Sequence, residues 1–471
     1  MTPSRFLNIF SFKSKLGGYL AFHIDRLEVA SISETAFIAL NDMGTPQTNL
    51  STLYQESIID SSIEEISDWN NQINNHDKVM STDYVLNETL ESLPLKKSSL
   101  DKYNDKIDKL VINNTQICNL KCTYCAAGGD GTFGDPIVKI SIEKTFPQIE
   151  FIINKLDENS SLNINFMGGE PLLDPLTLKA IYDYASEKCY SKNIELKIII
   201  TTNGTIINEK ALYVLNHMKA SINVSLDGPI EINDHRRPSK DNKSTTVKVI
   251  EGLRLLTNAK NNNAGITGVG VTAVFDKNYF DVLKTYNFFN SLNLNLDWYE
   301  FNFSHTETDD EASIKYSESL SQVAFLAWEL GKEKELLKIR VFNHLFAKLD
   351  AQVKVTSYCG INKSLAVLDA RNNFYSCPWY VGDSNYKIDL NNISHSSKNI
   401  VNMSSTKSKK SLTLDCHSCW ARNLCSGGCE FIHRQKQESS QNRQQLDKKF
   451  CLRTQNLIKD AILFYELSRK D

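Results

Sequence analysis

The sequence predicts an α/β protein: a parallel (β/α) barrel, preceded by a small α+β module and followed by a cysteine-rich domain. Three observations carry this prediction. Between about residues 108 and 340, strand-like segments alternate with helix-like ones, which implies parallel pairing. Four polar or glycine-rich motifs fall at the same end of four successive strands, where barrels of this kind bind their ligands. Seven of the eleven cysteines lie beyond residue 350. We place the N-terminal module at 1–105, the barrel at 106–345 and the C-terminal domain at 346–471.

In the N-terminal module, "GYLAFHIDRLEVASIS" reads as one or two strands and "ETAFIALNDM" as a short helix. A Ser-, Asn-, Asp- and Glu-rich connector then runs to "SSLDKYNDKIDK". The barrel strands are "KLVINNTQI", "LNINFM", "IELKIIITT", "SINVSL" and "ITGVGVTAVF". One helix start is clear, with Asp174 at the N-cap, Pro175 at the first helical position and "LTLKAIYDYASEKC" behind them. The motifs "CNLKC", "GGEP", "TNGT" and "SLDGP" follow or close the first four strands. Turns of no functional meaning would fall at both ends, so this end is read as a working rim. Beyond 350, "NNISHSSKNIVNMSSTKSKKS" reads as a mobile surface loop, and "LRTQNLIKDAILFYELSRK" has helical periodicity.

Composition excludes several classes. A hydrophobic content of 41% and a charged content of 23% are those of an ordinary globular protein. The net charge of −3 supplies no field for nucleic acid or an anionic membrane, so neither is expected as a partner. No run of 18 apolar residues exists, and the N-terminus lacks a signal-peptide pattern, so a cytoplasmic location is expected. Clustered cysteines in such a chain more often bind metal or do redox work than form disulfides.

Cys118, Cys122 and Cys125 stand in one eight-residue stretch, "CNLKCTYC", with no fourth cysteine or histidine nearby. Zinc normally takes four closed ligands. An iron–sulfur cube held by three thiolates instead leaves one iron open to an outside ligand. The CxxxCxxC spacing after a first parallel strand, together with "GGEP", resembles the radical S-adenosylmethionine (SAM) enzymes. The resemblance implies a partial (β/α)6 barrel and a 4Fe–4S cluster on these three cysteines, its open iron chelated by the methionine part of SAM. Reductive cleavage of SAM would then give a 5′-deoxyadenosyl radical that takes a hydrogen from the substrate. It also implies that Tyr124 packs by the adenine and that Gly168 and Gly169 let backbone approach the methionine moiety. Glu170 would accept from its ammonium, and Asn203, Ser225 and Asp227 would make further contacts at the rim. "INDHRR" resembles the family's Ile-His-Asp-x-x-Arg, with Asn233 in place of the histidine and Arg237 at the arginine position, facing the SAM carboxylate.

"CHSCWARNLCSGGC" resembles the SPASM extension of these enzymes, which carries two auxiliary 4Fe–4S clusters. That resemblance assigns Cys416, Cys419, Cys425 and Cys451 to an outer cluster and Cys359, Cys377 and Cys429 to an inner one. Three clusters in all are implied, the inner one having an open or non-cysteine fourth site. Asn372 stands where the family has glycine, a position asparagine can fill in the left-handed conformation. Cys189, on a barrel helix, is read as a small buried side chain.

SPASM enzymes mostly modify peptides. The layout resembles maturases of ribosomally made natural products, the darobactin type in particular, which join Trp to nearby side chains through ether and carbon–carbon bonds. The implied partners are a precursor peptide and an electron donor such as flavodoxin or ferredoxin. The alternatives are thioether formation or another SPASM maturation, and a non-enzymatic iron–sulfur electron carrier. Sulfatase maturases place an aspartate after the second upstream cysteine, where this chain has Pro378. The N-terminal module is a candidate for holding a leader peptide as an added strand, or a scaffold segment. Glu300 and Asp383 are carboxylates that could accept a proton, but such groups more often pair structurally, and neither is assigned.

Overall fold

The computed structural model describes residues 9–42, 106–125, 138–305, 309–354, 357–361, 363–388, 416, 418–440 and 446–470. The connector after the N-terminal helix and the Ser/Asn/Lys-rich segment around residue 400 lie outside the described residues.

The chain opens with three antiparallel strands, β1 (Ile9–Lys13), β2 (Tyr19–His23) and β3 (Glu28–Ile32), and helix α1 (Glu34–Asp42). β1 is a strand the sequence reading did not include. The barrel follows: β4 (Lys109–Asn113), α2 (Ile142–Lys155), β5 (Ser161–Met167), α3 (Pro175–Ser191), β6 (Glu195–Thr202), α4 (Glu209–His217), β7 (Ser221–Ser225), α5 (Ile230–Arg236), α6 (Thr246–Asn261), β8 (Gly268–Phe275), α7 (Val282–Ser291) and β9 (Trp298–Phe303). Two helices, α8 (Asp310–Leu336) and α9 (Arg340–Asp350), lead into β10 (Leu365–Leu368), β11 (Phe374–Tyr375) and β12 (Lys387–Ile388). Helices α10 (Arg422–Cys425), α11 (Glu430–Ser440) and α12 (Lys448–Ser468) complete the chain.

The large sheet runs β12-β11-β10-β4-β5-β6-β7-β8-β9. β4 to β9 are six parallel strands in sequence order, a partial (β/α)6 barrel. β10 adds in parallel beside β4, with Val367 opposite Val111, so the C-terminal domain continues the barrel sheet. Period-two burial explains the layering. In β5, Leu162, Ile164 and Phe166 are fully buried against the helices, while Asn163, Asn165 and Met167 are half-buried on the concave side. Asp174 does sit at the start of α3, but it makes no cap to the backbone and accepts from Thr177 Oγ1 at 2.9 Å instead. Among the described residues no helix is long and apolar enough to cross a membrane.

The N-terminal sheet is part of the main core. One face, with Phe12, Leu20, Phe22 and Val29, shares a hydrophobic cluster with Ala421, Leu424 and Ile458, while Ile9 and Ile32 pack with Ala36 of α1. Asn372 does adopt the left-handed conformation, at φ 63°. Its side chain ties the C-terminal domain to α2, accepting from Ser141 N at 3.2 Å and donating to Thr145 Oγ1 at 2.8 Å and Gln148 Oε1 at 3.1 Å. A glycine there could make none of these bonds. Cys189 is buried in the core around α3.

Candidate active site at the barrel rim

All four rim motifs lie at the carboxyl ends of β4, β5, β6 and β7. The cysteine loop leaves β4 and is gripped from two sides. On the β5 side, Gly169 N donates to Thr115 O at 2.9 Å and Glu170 N to Ile117 O at 2.8 Å. On the other, Lys121 N donates to Pro238 O and Thr123 N to Arg236 O, each at 2.9 Å. The "RRPS" segment therefore runs beside the loop, with Leu120 and Ser239 bridged antiparallel.

The two glycines also serve the packing of the loop itself. A Cβ on Gly168, at φ 125°, would stand 2.9 Å from Thr115 O, and one on Gly169 would collide with the Ile117 carbonyl. The space their absent side chains leave is taken by the chain's own cysteine loop.

Glu170 is 1% exposed and its carboxylate is engaged by the protein. It accepts from Leu172 N at 3.0 Å, Thr202 Oγ1 at 2.7 Å and Asn203 N at 2.7 Å, joining the ends of β5 and β6. Burial raises its pKa in spite of these bonds. Asn203 in turn donates to Asn119 Oδ1 at 2.8 Å, inside "CNLKC", and to Cys118 Sγ at 3.9 Å. Thr205 Oγ1 receives a 2.8 Å bond from Asn119 Nδ2, so β6 orients the residue after the first cysteine.

Asp227 is fully buried and serves as a hub. It accepts from Tyr124 Oη at 2.6 Å, Arg236 Nε at 3.2 Å, Arg237 Nη2 at 3.1 Å and Val274 N at 3.0 Å. A carboxylate this committed to protein donors holds its neighbours in position. Ser225 ends β7 and is buried, opposite Thr272. Asn233 absorbs the loss of the family histidine: it accepts from Asp227 N at 3.0 Å and donates to Thr246 Oγ1 at 3.0 Å. Arg236, which sequence reasoning passed over beside Arg237, also bonds Asp276 at 2.9 Å and lies 4.6 Å from the Tyr124 ring centroid.

The side chains fit the expected cofactors in two respects. Burial lifts the Cys118 thiol to about 11 and the Cys122 thiol to about 12, so each needs a cationic partner to become a thiolate ligand. Arg237 is 7% exposed, lies beside Cys122, and its buried Nε has no hydrogen-bond partner among the described residues. A guanidinium N–H so placed is a ready donor to a carboxylate.

The other thiols form two further groups. Cys377 is buried among Cys429, Cys359 and Glu430, and its pKa is pushed up by that burial. Cys451, raised to about 12 by burial, faces Cys425, Cys416 and Cys419. Gln455 Nε2 donates to Cys419 Sγ at 3.4 Å. Among the described residues no set of three or more His, Cys, Asp or Glu side chains is placed to hold a single metal ion. Of the two carboxylates weighed as bases, Glu300 pairs with Arg340 at 3.4 Å, and Asp383 is exposed and accepts from Asn385 N at 2.9 Å.

Comparison with known proteins agrees with this architecture. Residues 112–289 match the family model described as Radical SAM superfamily. An uncharacterized protein of Methanocaldococcus jannaschii is 33% identical over 174 residues, 37% of this chain; the chain spans 55% of that relative's length. The cysteine-type anaerobic sulfatase-maturating enzyme of Clostridium perfringens is 25% identical over 346 residues, covering 68% of this chain and 88% of the relative. In fold, the chain resembles the solved structure of native anSMEcpe with bound AdoMet and Kp18Cys peptide. The TM-score is 0.59 at 21% identity, over 77% of this chain and 99% of that one. Residues 112–289 are thus a radical SAM domain, which implies a 4Fe–4S cluster and SAM, and relatives that share it are enzymes.

Proposed function

We propose that this chain modifies a ribosomally made precursor peptide, forming ether or carbon–carbon crosslinks that involve Trp. Residues 106–345 would house the reaction and 346–471 two auxiliary clusters. What supports the radical part is the gathering of Cys118, Cys122 and Cys125 in one loop inside the residues that match the radical SAM model, with Arg237, whose Nε has no partner among the described residues, beside it. The peptide part draws on relatives named as protein maturases and on a fold neighbour solved with a peptide. When bound, the reduced cluster and SAM would supply a 5′-deoxyadenosyl radical able to take a side-chain hydrogen.

The chain's own residues do the rest. Cys118, Cys122 and Cys125 hold the cluster, and Leu120 N, 3.4 Å from Cys118 Sγ, with Asn203 offers N–H donors to a ligating sulfur. Arg237 takes the SAM carboxylate, Tyr124 borders the adenine, and the second lone pair of Glu170 Oε2 receives the ammonium. Cys416, Cys419, Cys425 and Cys451 hold the outer cluster; Cys359, Cys377 and Cys429 hold the inner one. Its neighbouring carboxylate, Glu430, is engaged by Arg434 at 3.2 Å, which favours an open fourth position. β1 and β3 each keep one edge to which no described strand pairs, a surface on which a leader could add as a strand. An electron donor such as flavodoxin or ferredoxin completes the cycle.

A second reading, oxidation of a single residue as in the sulfatase-maturating relatives, is favoured by their coverage of the chain. Pro378 after Cys377 speaks against it. Anaerobic incubation with reductant, SAM and a candidate peptide from a neighbouring reading frame separates the two. A carbon–carbon crosslink leaves the peptide two hydrogens lighter, with two residues joined in its fragment spectrum. A change confined to one residue supports the second reading, and no 5′-deoxyadenosine under any condition removes both.

A further inference from the structure

The segment "CWARNLC", which carries two of the outer thiols, lies between two elements far apart in sequence. On one side is α12, where Cys451, Gln455 and Lys459 recur every four residues and so share a face. On the other side is the N-terminal sheet. Phe10 stacks on Trp420, the residue after Cys419, with ring centroids 4.1 Å apart and planes 4° from parallel. Phe22 meets the same indole edge-on at 6.4 Å, and the Lys459 ammonium lies 5.5 Å from the Phe10 ring and 6.0 Å from Trp420. The turn between β2 and β3 then grips the rest of the segment. Asn423 Nδ2 donates to Ile24 O at 2.8 Å and to Asp25 Oδ1 at 3.3 Å; Arg422 Nη2 reaches the same oxygen at 3.3 Å and Lys354 Nζ at 3.4 Å.

We infer that the N-terminal module is a clamp on the outer cysteine segment, with Asp25 and Phe10 as positioning residues for the outer cluster. The segment has little regular structure of its own. α10 is a single four-residue turn that ends at Ser426 in the left-handed conformation, φ 55°. Two bonds to the Asp25 carboxylate, one to Ile24 O and an aromatic stack fix residues 420, 422 and 423, between Cys419 and Cys425. Their loss frees the loop to move the two sulfurs apart, and a thiolate set that cannot converge does not hold a cluster. The bonds made by Ile24 and Asp25 described above run to the outer segment and to Lys354, which aims the clamp at the outer thiols.

This inference rests on the reading of the C-terminal thiols as cluster ligands. The test uses the full chain, reconstituted anaerobically with iron and sulfide, as wild type, Asp25→Ala/Asn423→Ala and the milder Asp25→Asn. Iron and acid-labile sulfide are counted per chain, and paramagnetic resonance follows each reduced cluster with and without SAM. The double variant should lose about one third of the iron, one cluster of three, while the SAM-responsive signal persists. Asp25→Asn, which keeps a hydrogen-bond acceptor but not the charge, should keep its iron and shift or broaden only the outer-cluster signal. Folded variants with full iron and unchanged signals overturn the clamp. Loss of all clusters together in a folded Asp25→Asn chain also overturns it, since that marks general destabilisation. A wild-type chain that takes up only one cluster overturns the cluster reading itself, and the clamp with it.

Discussion

Cys118, Cys122 and Cys125 come from one eight-residue stretch, whereas Cys416, Cys419, Cys425 and Cys451 span 36 residues, with Cys425 in α10 and Cys451 in α12. The barrel loop is held by backbone bonds to neighbouring strand ends, with Thr115 O and Ile117 O accepting from the β5 motif. The outer group is held by side chains from the opposite end of the sequence, with Asp25 and Phe10 closing on Arg422, Asn423 and Trp420. A site built from one loop on a parallel sheet is set by that sheet. A site built on a short helical turn depends on whatever packs against it.

The largest expected effects separate the two regions outright. Cys118→Ala should abolish 5′-deoxyadenosine formation while the C-terminal iron stays bound. Cys451→Ala should keep SAM cleavage and lose the modified peptide. If both variants lose cleavage alike, the two regions are not separable as described. Gly169→Ala comes next. The added methyl meets the Ile117 carbonyl and must displace the cysteine loop, at a cost of about 1–3 kcal/mol. Iron should be lost from the barrel site alone, read by paramagnetic resonance; full occupancy would show that the loop yields easily.

Arg237→Lys should weaken SAM binding by about tenfold or more, since an ammonium cannot reproduce the Nε donor. Equilibrium binding checks this, and unchanged affinity would remove Arg237 from the SAM site. Asn372→Gly, which restores the family residue, should cost about 1–2 kcal/mol in urea unfolding through the lost bonds to Ser141, Thr145 and Gln148. SAM cleavage should not change.

The smallest expected effect is one of pH. Burial lowers the His23 pKa from 6.5 to about 4, against the attraction of Asp25. The unfolded chain therefore takes up a proton below pH 6.5 that the folded imidazole refuses until about 4. His23 favours folding above that window, and this contribution is lost as pH falls through it. Denaturant midpoints at pH 7 and 4.5 should diverge less in His23→Gln than in the wild type.

Much of this was legible in the sequence because it is local. The strand ends, the rim motifs and the left-handed Asn372 follow from periodicity, spacing and backbone chemistry within a few residues. What was hidden depends on partners distant in sequence. β1 is a five-residue strand whose pairing with β2 alone reveals it. The fit of Gly168 and Gly169 against the cysteine loop joins segments about 50 residues apart. The hub at Asp227 is another case, since its four donors come from Tyr124, Arg236, Arg237 and β8. The docking of the N-terminal sheet joins residues about 400 apart, and no periodicity reports that.

The central claim is the open iron at the barrel rim. Its most direct measurement is the paramagnetic resonance of the dithionite-reduced, anaerobically reconstituted protein before and after SAM is added. The account predicts that one cluster signal changes on addition, that the change is lost in Cys118→Ala, and that 5′-deoxyadenosine accumulates. Zinc at these cysteines, or a cluster signal indifferent to SAM, would contradict it.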